Sequence, residues 1–582
     1  MRVAVVGSGI GGLAVALRLA NRGHNVTVFE RNSSAGGKIS EIRADGFRFD
    51  TGPSVISMPV YIESLFNDSK AGIEVFLKYS KIDVNCRYLL PGGKVIRLFS
   101  DPKKLKEEIR KNSPEPFENI EKRLYESSSL YDIAKRALIG NPEFYAKSGG
   151  RAPVRSFSSK DYNKLLLKSF KYLGGVSVHK INSKAFVDKD IAAIFDTFCN
   201  FNGCDPYRNE SVIGVGSYTR FGTSRYLFQG GVYAIIDAIV KLAKEKRVTF
   251  CFNSHVEKIV VENGSAKGVV VKGAFLPFDA VVSAADSIYT TSKLLSGASK
   301  SNISSQAPAT GSPASESSNS PTTAQKSAHS AAANSEHSSA QPFARSSTST
   351  SASTSISAST SASTSATATA PHSDSLSALI KGKELSTSAI VFLWGVRRST
   401  PNLDVYNVII SPDPEKESNL MFGRRIVSSE PTISIYISSK YNKGDAPLGC
   451  ENWQVRINAP INNGQDWTTQ INQSRINIFK KIYETLGVDI KKDLVFERII
   501  TPVSIERDYM AYKGSVHGVL SEKFLAPFSE FPNKHFGIKN LYFAGGTVNP
   551  GGNIPMALLS AEITDAIIAS EHPCSVIEPT LF

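Results

Sequence analysis

Gly7, Gly9 and Gly12 stand in the spacing G-x-G-x-x-G, with Gly11 in the same turn, directly after the apolar run VAVVG and at the head of GGLAVALRLANRG. A second apolar run, NVTVFER, ends in Glu30, followed by Arg31. Glycines in this spacing permit a tight turn and let backbone N–H groups and a helix N-terminus reach a diphosphate. An acid at the end of the next strand accepts hydrogen bonds from a ribose diol, and its charge disfavours a phosphorylated ribose. The pattern therefore predicts dinucleotide binding. A second glycine turn, Gly36-Gly37-Lys38, follows, and a basic residue there sits either against the diphosphate or adenosine end or in water on a surface turn. At the other end, LYFAGGTVNPGGNIPMALLSAEI places Gly545, Gly546, Gly551 and Gly552 before an apolar helix pattern that opens near Ile554 or Pro555. So many glycines let something come close to the backbone, and proline near the first helical position loses no needed N–H.

These residues need elements to hold them. VAVVG reads as a buried strand, GGLAVALRLANRG as an amphipathic helix and NVTVFER as a second strand. Further on, GVYAIIDAIVKLAKEK carries apolar residues at helical spacing and precedes the strand patterns VTFCF, VEKIVVENG and AKGVVV. The alternation predicts an α/β fold with a parallel sheet at the N-terminus. The chain has 582 residues, a length that suits three or four domains or a large two-domain enzyme.

The run from Gly7 to Ser54 resembles the FAD-binding start of the amine-oxidase-like flavoproteins, and more narrowly the phytoene desaturase family of carotenoid desaturases. Gly36-Gly37-Lys38 and Asp50-Thr51-Gly52-Pro53-Ser54 match that family's segments residue by residue. Tyr226–Val271 resembles its central block, Asp445–Gly449 a segment of its substrate domain, and Leu541–Ile563 its closing flavin motif. Two departures stand out: Asn549-Pro550-Gly551-Gly552-Asn553 where the family usually has His-Pro-Gly-Gly-Gly, and Val405-Tyr406-Asn407 where a His pair is common. The resemblance implies FAD as cofactor. Its contacts would come from Gly7, Gly9, Gly11, Gly12, Glu30 and Arg31, from Gly37, Lys38, Gly52, Pro53 and Ser54, from the backbone of Val256, and from Gly545, Gly546, Gly552, Ile554 and Pro555. It also implies a Rossmann-type FAD-binding domain built from residues 1–70, 225–295 and 496–582, and an α+β substrate domain from 71–224 and 379–495.

The implied activity is desaturation of a lipid-soluble carotenoid or other isoprenoid. The hydrogens removed flank double bonds and no carbonyl acidifies them, so hydride transfer to the flavin is the reasonable route, with a quinone or oxygen reoxidising it. The residues alone do not single out a base. Other reactions on the same scaffold stay open: a hydroxycarotenoid desaturase, carotene isomerase, retinoid saturase or amine oxidase, or a non-catalytic flavin-binding protein. Covalent flavin attachment, frequent in amine oxidases, is disfavoured because Cys574, the nearest cysteine, lies well past the closing motif.

Composition constrains partners and compartment. Hydrophobic residues make up 41% and charged residues 21%, as in soluble globular chains. There is no uncharged apolar run of about eighteen residues, and MRVAVVGSGIGG lacks the pattern of a signal peptide. Six scattered cysteines without a C-x-x-C pair read as reduced thiols in an intracellular protein. A net charge of +14 fits either an anionic membrane surface or a solvated lysine-rich one, and no zinc spacing or nucleic-acid motif accompanies it. The segment Arg155–Gly175, with Leu165, Leu166, Leu167, Phe170 and Leu173 among four lysines, would suit peripheral docking on a membrane, or packing on its own domain. From Ser299 to His372 the chain is almost all small and polar. The expected insert, 296–378, has too little apolar surface to offset the entropy of ordering and is predicted to be disordered.

Overall fold

The strand β1, Arg2–Val6, is buried after its first residue, which is the pattern of a parallel strand covered on both faces. It leads into the helix α1, Ile10–Asn21, and then β2, Asn25–Phe29. Around them runs a five-stranded sheet, ordered Thr249–Cys251, β2, β1, Ala280–Ser283, Leu541–Phe543. Every pairing in it is parallel. One sheet therefore joins segments from both ends of the chain. The fully buried Leu13 and Leu17 of α1 share a core with the helices Tyr233–Glu245 and Ile554–Glu571. Each such leucine contributes about 1.5–3 kcal/mol by leaving water. On the opposite face lies an antiparallel meander, Val256–Glu262, Ser265–Val271 and Ala274–Pro277.

This is the computed structural model of the chain, and it describes residues 1–139, 176–208, 222–296, 383–520 and 531–573. The serine-rich tract, the segment Arg155–Gly175 and Cys574 lie outside the described residues. By contacts the chain divides into one unit of residues 1–298 and 371–582 and a second of residues 299–370, the latter also outside them.

A second, seven-stranded sheet runs Leu494–Ile500, Ser388–Val396, Glu451–Ala459, Ile433–Tyr436, Tyr406–Ile409, Val84–Leu89, Val95–Phe99. It is antiparallel apart from the parallel pair Tyr406–Ile409 and Val84–Leu89. Two-residue alternation divides its faces. Trp453, Val455 and Ile457 turn towards the helix Trp467–Leu486 and share a core with its Ile478 and Ile482. Gln454 and Arg456, their alternates, reach a cavity on the other face. The chain is thus α/β, with a Rossmann-type unit assembled from discontinuous segments beside an α+β unit. Leu494–Ile500 begins just before residue 496, where the FAD-binding segment was expected to open, and its pairing places it with the larger sheet.

Candidate active site

A cavity of about 450 Å³ lies between the carboxyl ends of the parallel strands and the inner face of the seven-stranded sheet. Ligands of open α/β sheets bind at such a place. Gly7, Gly9 and Gly11 line it, as do Glu30 and Arg31 at the end of β2. Gly37 and Lys38 follow, with Gly52, Pro53 and Ser54 next to them. Val256 comes from the meander, and Gly545, Gly546, Gly552, Ile554 and Pro555 from the closing loop and helix. Gly12 is absent from this wall. A Cβ there would lie 2.1 Å from the Gly7 carbonyl oxygen and 2.9 Å from the Ala284 Cβ, so Gly12 serves the close packing of α1 on its strands. Gly11 has a related role, because a Cβ on it would meet the Gly545 Cα at 2.5 Å. The two glycine-rich ends of the chain therefore touch through their backbones. At Gly9 a Cβ would meet nothing within 4 Å; the space it would occupy belongs to the cavity.

The Glu30 carboxylate is buried and held in place. One oxygen accepts from the N–H and the hydroxyl of Ser8 at 2.9 and 2.8 Å, the other from the N–H of Asn32 at 2.9 Å. Arg31 donates to the Arg507 carbonyl at 3.1 Å. The Lys38 ammonium donates to the Val516 carbonyl at 2.6 Å. Burial draws its pKa below the ordinary lysine value, and Asp286 opposes that. Asn553 caps the last helix by accepting from the Met556 N–H at 3.3 Å, so the helix N-terminus opens onto the cavity.

Three further wall residues, and the buried Ser8 behind them, escaped sequence reasoning. Ser8 orients Glu30. Asp286 follows the strand Ala280–Ser283 and caps a short turn. Gln454 donates to the carbonyls of Asp50 at 2.8 Å and Gly52 at 3.3 Å and accepts from the Ser54 hydroxyl at 2.6 Å, so the larger sheet holds the Asp-Thr-Gly-Pro-Ser segment. His517 reaches the wall from a loop with no motif. Burial, then Lys38 and Arg456, bring its pKa down to about 3, although the backbone of Gly552 and Phe201 works the other way. An acid three residues past a strand was the one available signal, for Asp286.

His517 is therefore neutral in the folded protein at working pH. The unfolded chain binds the extra proton below its ordinary value near 6.5, so stability is full above that pH and is lost as pH falls from there towards 3. Thermal melts between pH 7.5 and 4.5 should show His517→Gln losing less stability on acidification than wild type. Parallel pH dependences would contradict the burial of a neutral imidazole.

Glycine turns at two helix N-termini, a braced acid at the ribose position and a lysine along the same wall fit FAD, and the free space beside Gly9 admits its diphosphate. With these walls the molecule is an FAD-dependent oxidoreductase. Residues 10–288 match the flavin containing amine oxidoreductase family. The chain is 29% identical to a 1-hydroxycarotenoid 3,4-desaturase of Flavobacterium sp. (strain P99-3), over 98% of this chain and 99% of that one. It is 26% identical to a 4,4'-diapolycopene oxygenase of Methylomonas sp, over 98% of each. Among solved structures, cyclohexylamine oxidase from Brevibacterium oxydans IH-35A shares the fold, with a TM-score of 0.56 at 14% identity, over 98% of this chain and 99% of that one. The chain is thus similar to these two relatives over nearly its whole length, and to the flavin containing amine oxidoreductases over residues 10–288.

Proposed function

We propose that the chain removes two hydrogens from a carotenoid-type polyene, with FAD held by the glycine, Glu30 and Lys38 wall described above. The observation that carries this reading is the character of the cavity beyond the glycine segments. Phe198, Phe201, Val391 and Ile500 line it together with Tyr406 and Tyr436. Among the described residues, Arg225 and Arg456 add charged side chains to the lining. An apolar chamber suits a hydrocarbon chain, and guanidinium groups repel the cation that an amine substrate would be. The relatives named for hydroxycarotenoid and diapolycopene substrates support the same class.

When bound, the flavin accepts hydride. The protein binds its diphosphate at the helix N-terminus, fixes the Asp50–Ser54 segment through Gln454 and lines the substrate end with apolar groups that exclude water. A polyene with an oxygenated end is a second reading, favoured by Arg225, Arg456 and Gln454 on the otherwise apolar wall. A quinone or oxygen as acceptor, peripheral binding to an anionic membrane and the domain division given above belong to the same proposal. The net charge of +14 supports the membrane part. Among the described residues no helix is long and apolar enough to cross a membrane.

Co-expression in cells accumulating phytoene, and separately in cells accumulating a hydroxylated carotene, should yield carotenes absorbing at longer wavelength in at least one. A Gly9→Ala variant should lose product in proportion to the flavin it loses. A yellow, flavin-loaded protein that leaves both pigments unchanged would overturn the carotenoid reading.

A further inference from the structure

Asp286 is the buried acid of the cavity with no established task. Its residue is 7% exposed, and it lines the cavity. Oδ1 accepts from the N–H groups of Ile288 and Tyr289, each at 3.0 Å. Oδ2 is buried without a hydrogen-bond partner in the structure. The position is tightly fixed. Ala284 and Ala285, just before it, lie against Gly7, whose ideal Cβ would be 3.5 Å from their backbone. Ser287, just after it, donates from N–H and hydroxyl to Thr547 in the closing loop, at 3.0 Å each. Asp286 is thus wedged between the two glycine segments that approach a diphosphate.

A carboxylate there would face the cofactor's two negative charges, and phosphate oxygens can only accept. We propose that Asp286 binds FAD as the neutral carboxylic acid, donating its Oδ2–H to a diphosphate oxygen and taking one proton from solvent when the flavin binds. One O–H bond forms on Asp286, and nothing is oxidised or reduced.

The surroundings agree with this assignment. Burial raises the Asp286 pKa, against the pull of Lys38 and of the nearby backbone N–H groups. Lys38 is the charged side chain acting on it, and no ion pair within 4 Å joins them. Tyr289 on its own turn, with Arg31 beyond, and Tyr512 and His517 on the 512–518 loop are the other titratable groups on elements packed around it. The Thr547 segment brings none. The Tyr512 backbone N–H also acts on the carboxyl and favours its charged form. A dianion placed beside the group raises its pKa further, so binding and protonation reinforce each other.

The inference rests on the cavity holding FAD, and the experiment separates the two. FAD is titrated into flavin-free protein from pH 5 to 9 by fluorescence quenching, and by calorimetry in two buffers of different ionisation enthalpy. Wild type should take up close to one proton in the window between the free and bound pKa values, with Kd rising about tenfold per pH unit there. Asp286→Asn supplies an N–H donor at the same place without a charge. It should bind with an affinity like the wild type's at low pH, and its Kd should lack that pH-dependent rise. No proton uptake by wild type, with Asp286→Asn weakened as much as Asp286→Ala, would mean that the ionised carboxylate is what binds, and would overturn the proposal. The proton count needs wild type alone, so a misfolded variant does not spare the proposal. Failure of wild type to bind flavin at any pH would overturn the FAD site itself along with it.

Discussion

Gly12→Ala is expected to lower the melting temperature of the flavin-free protein, whereas Gly9→Ala leaves it unchanged and weakens flavin binding. The two glycines belong to one motif but face different neighbours. A methyl at residue 12 would sit 2.1 Å from the Gly7 carbonyl oxygen, a backbone atom that cannot swing aside, and 2.9 Å from the Ala284 Cβ. Relief requires α1 to move off the sheet, and overpacking of this kind costs about 1–3 kcal/mol. At residue 9 the methyl meets no protein atom within 4 Å, and φ there is −63°, which alanine adopts freely. The methyl instead fills the approach of the diphosphate to the α1 N-terminus. A rise in Kd for FAD of at least about tenfold, or ~1.4 kcal/mol, is expected. Calorimetric melts of the apo proteins beside flavin titrations check both. Equal apo melting temperatures for the two variants would refute the separation of roles.

The second large effect is expected at Arg48. Its side chain is 3% exposed and lies among Glu41 at 2.8 Å, Asp50 at 2.7 Å and Asp445 at 3.4 Å. Burial works against the guanidinium charge, but Asp50, Asp445 and Glu41 outweigh it and hold the pKa above the ordinary arginine value. Asp50 opens the segment beside the flavin, and Asp445 belongs to the loop before the strand Glu451–Ala459. Asn452 also donates to the Arg48 carbonyl at 2.6 Å, and the cluster ties the hairpin of Glu41–Ala44 and Phe47–Asp50 to the seven-stranded sheet. Arg48→Met leaves two buried carboxylates facing each other, and breaking a buried pair in this way costs about 3–5 kcal/mol. The deficit should depend on pH. The Asp445 pKa is already raised by burial, against Ser438 and Arg48, and removing the cation raises it further. A raised folded-state pKa contributes stability at low pH that is lost as pH rises through it. The variant should therefore approach wild type in melts near pH 5 and fall furthest behind near pH 8. A deficit independent of pH would show that lost packing, not charge, is the cause.

The sequence by itself determined the first strand–helix–strand unit, its glycine turn and Glu30, because contacts within some thirty consecutive residues and backbone sterics decide them. The helix Tyr233–Glu245 and the strands after it were legible for the same reason, their apolar period. The closing glycines were legible as a backbone approach, and the helix after them starts at Ile554 as its proline implied. Tertiary structure alone decided what meets these pieces. Leu541–Phe543 joins the parallel sheet next to Ala280–Ser283, and Gly11 meets Gly545 from the far end of the chain. The Arg48 cluster, the grip of Gln454 on Asp50 and Gly52, the buried neutral His517 and the position of Asp286 all depend on side chains from distant segments. No periodicity or local motif encodes such meetings. They follow from how distant segments pack around one cavity, where burial and close charged neighbours shift the proton affinities of ordinary Asp, His and Arg residues.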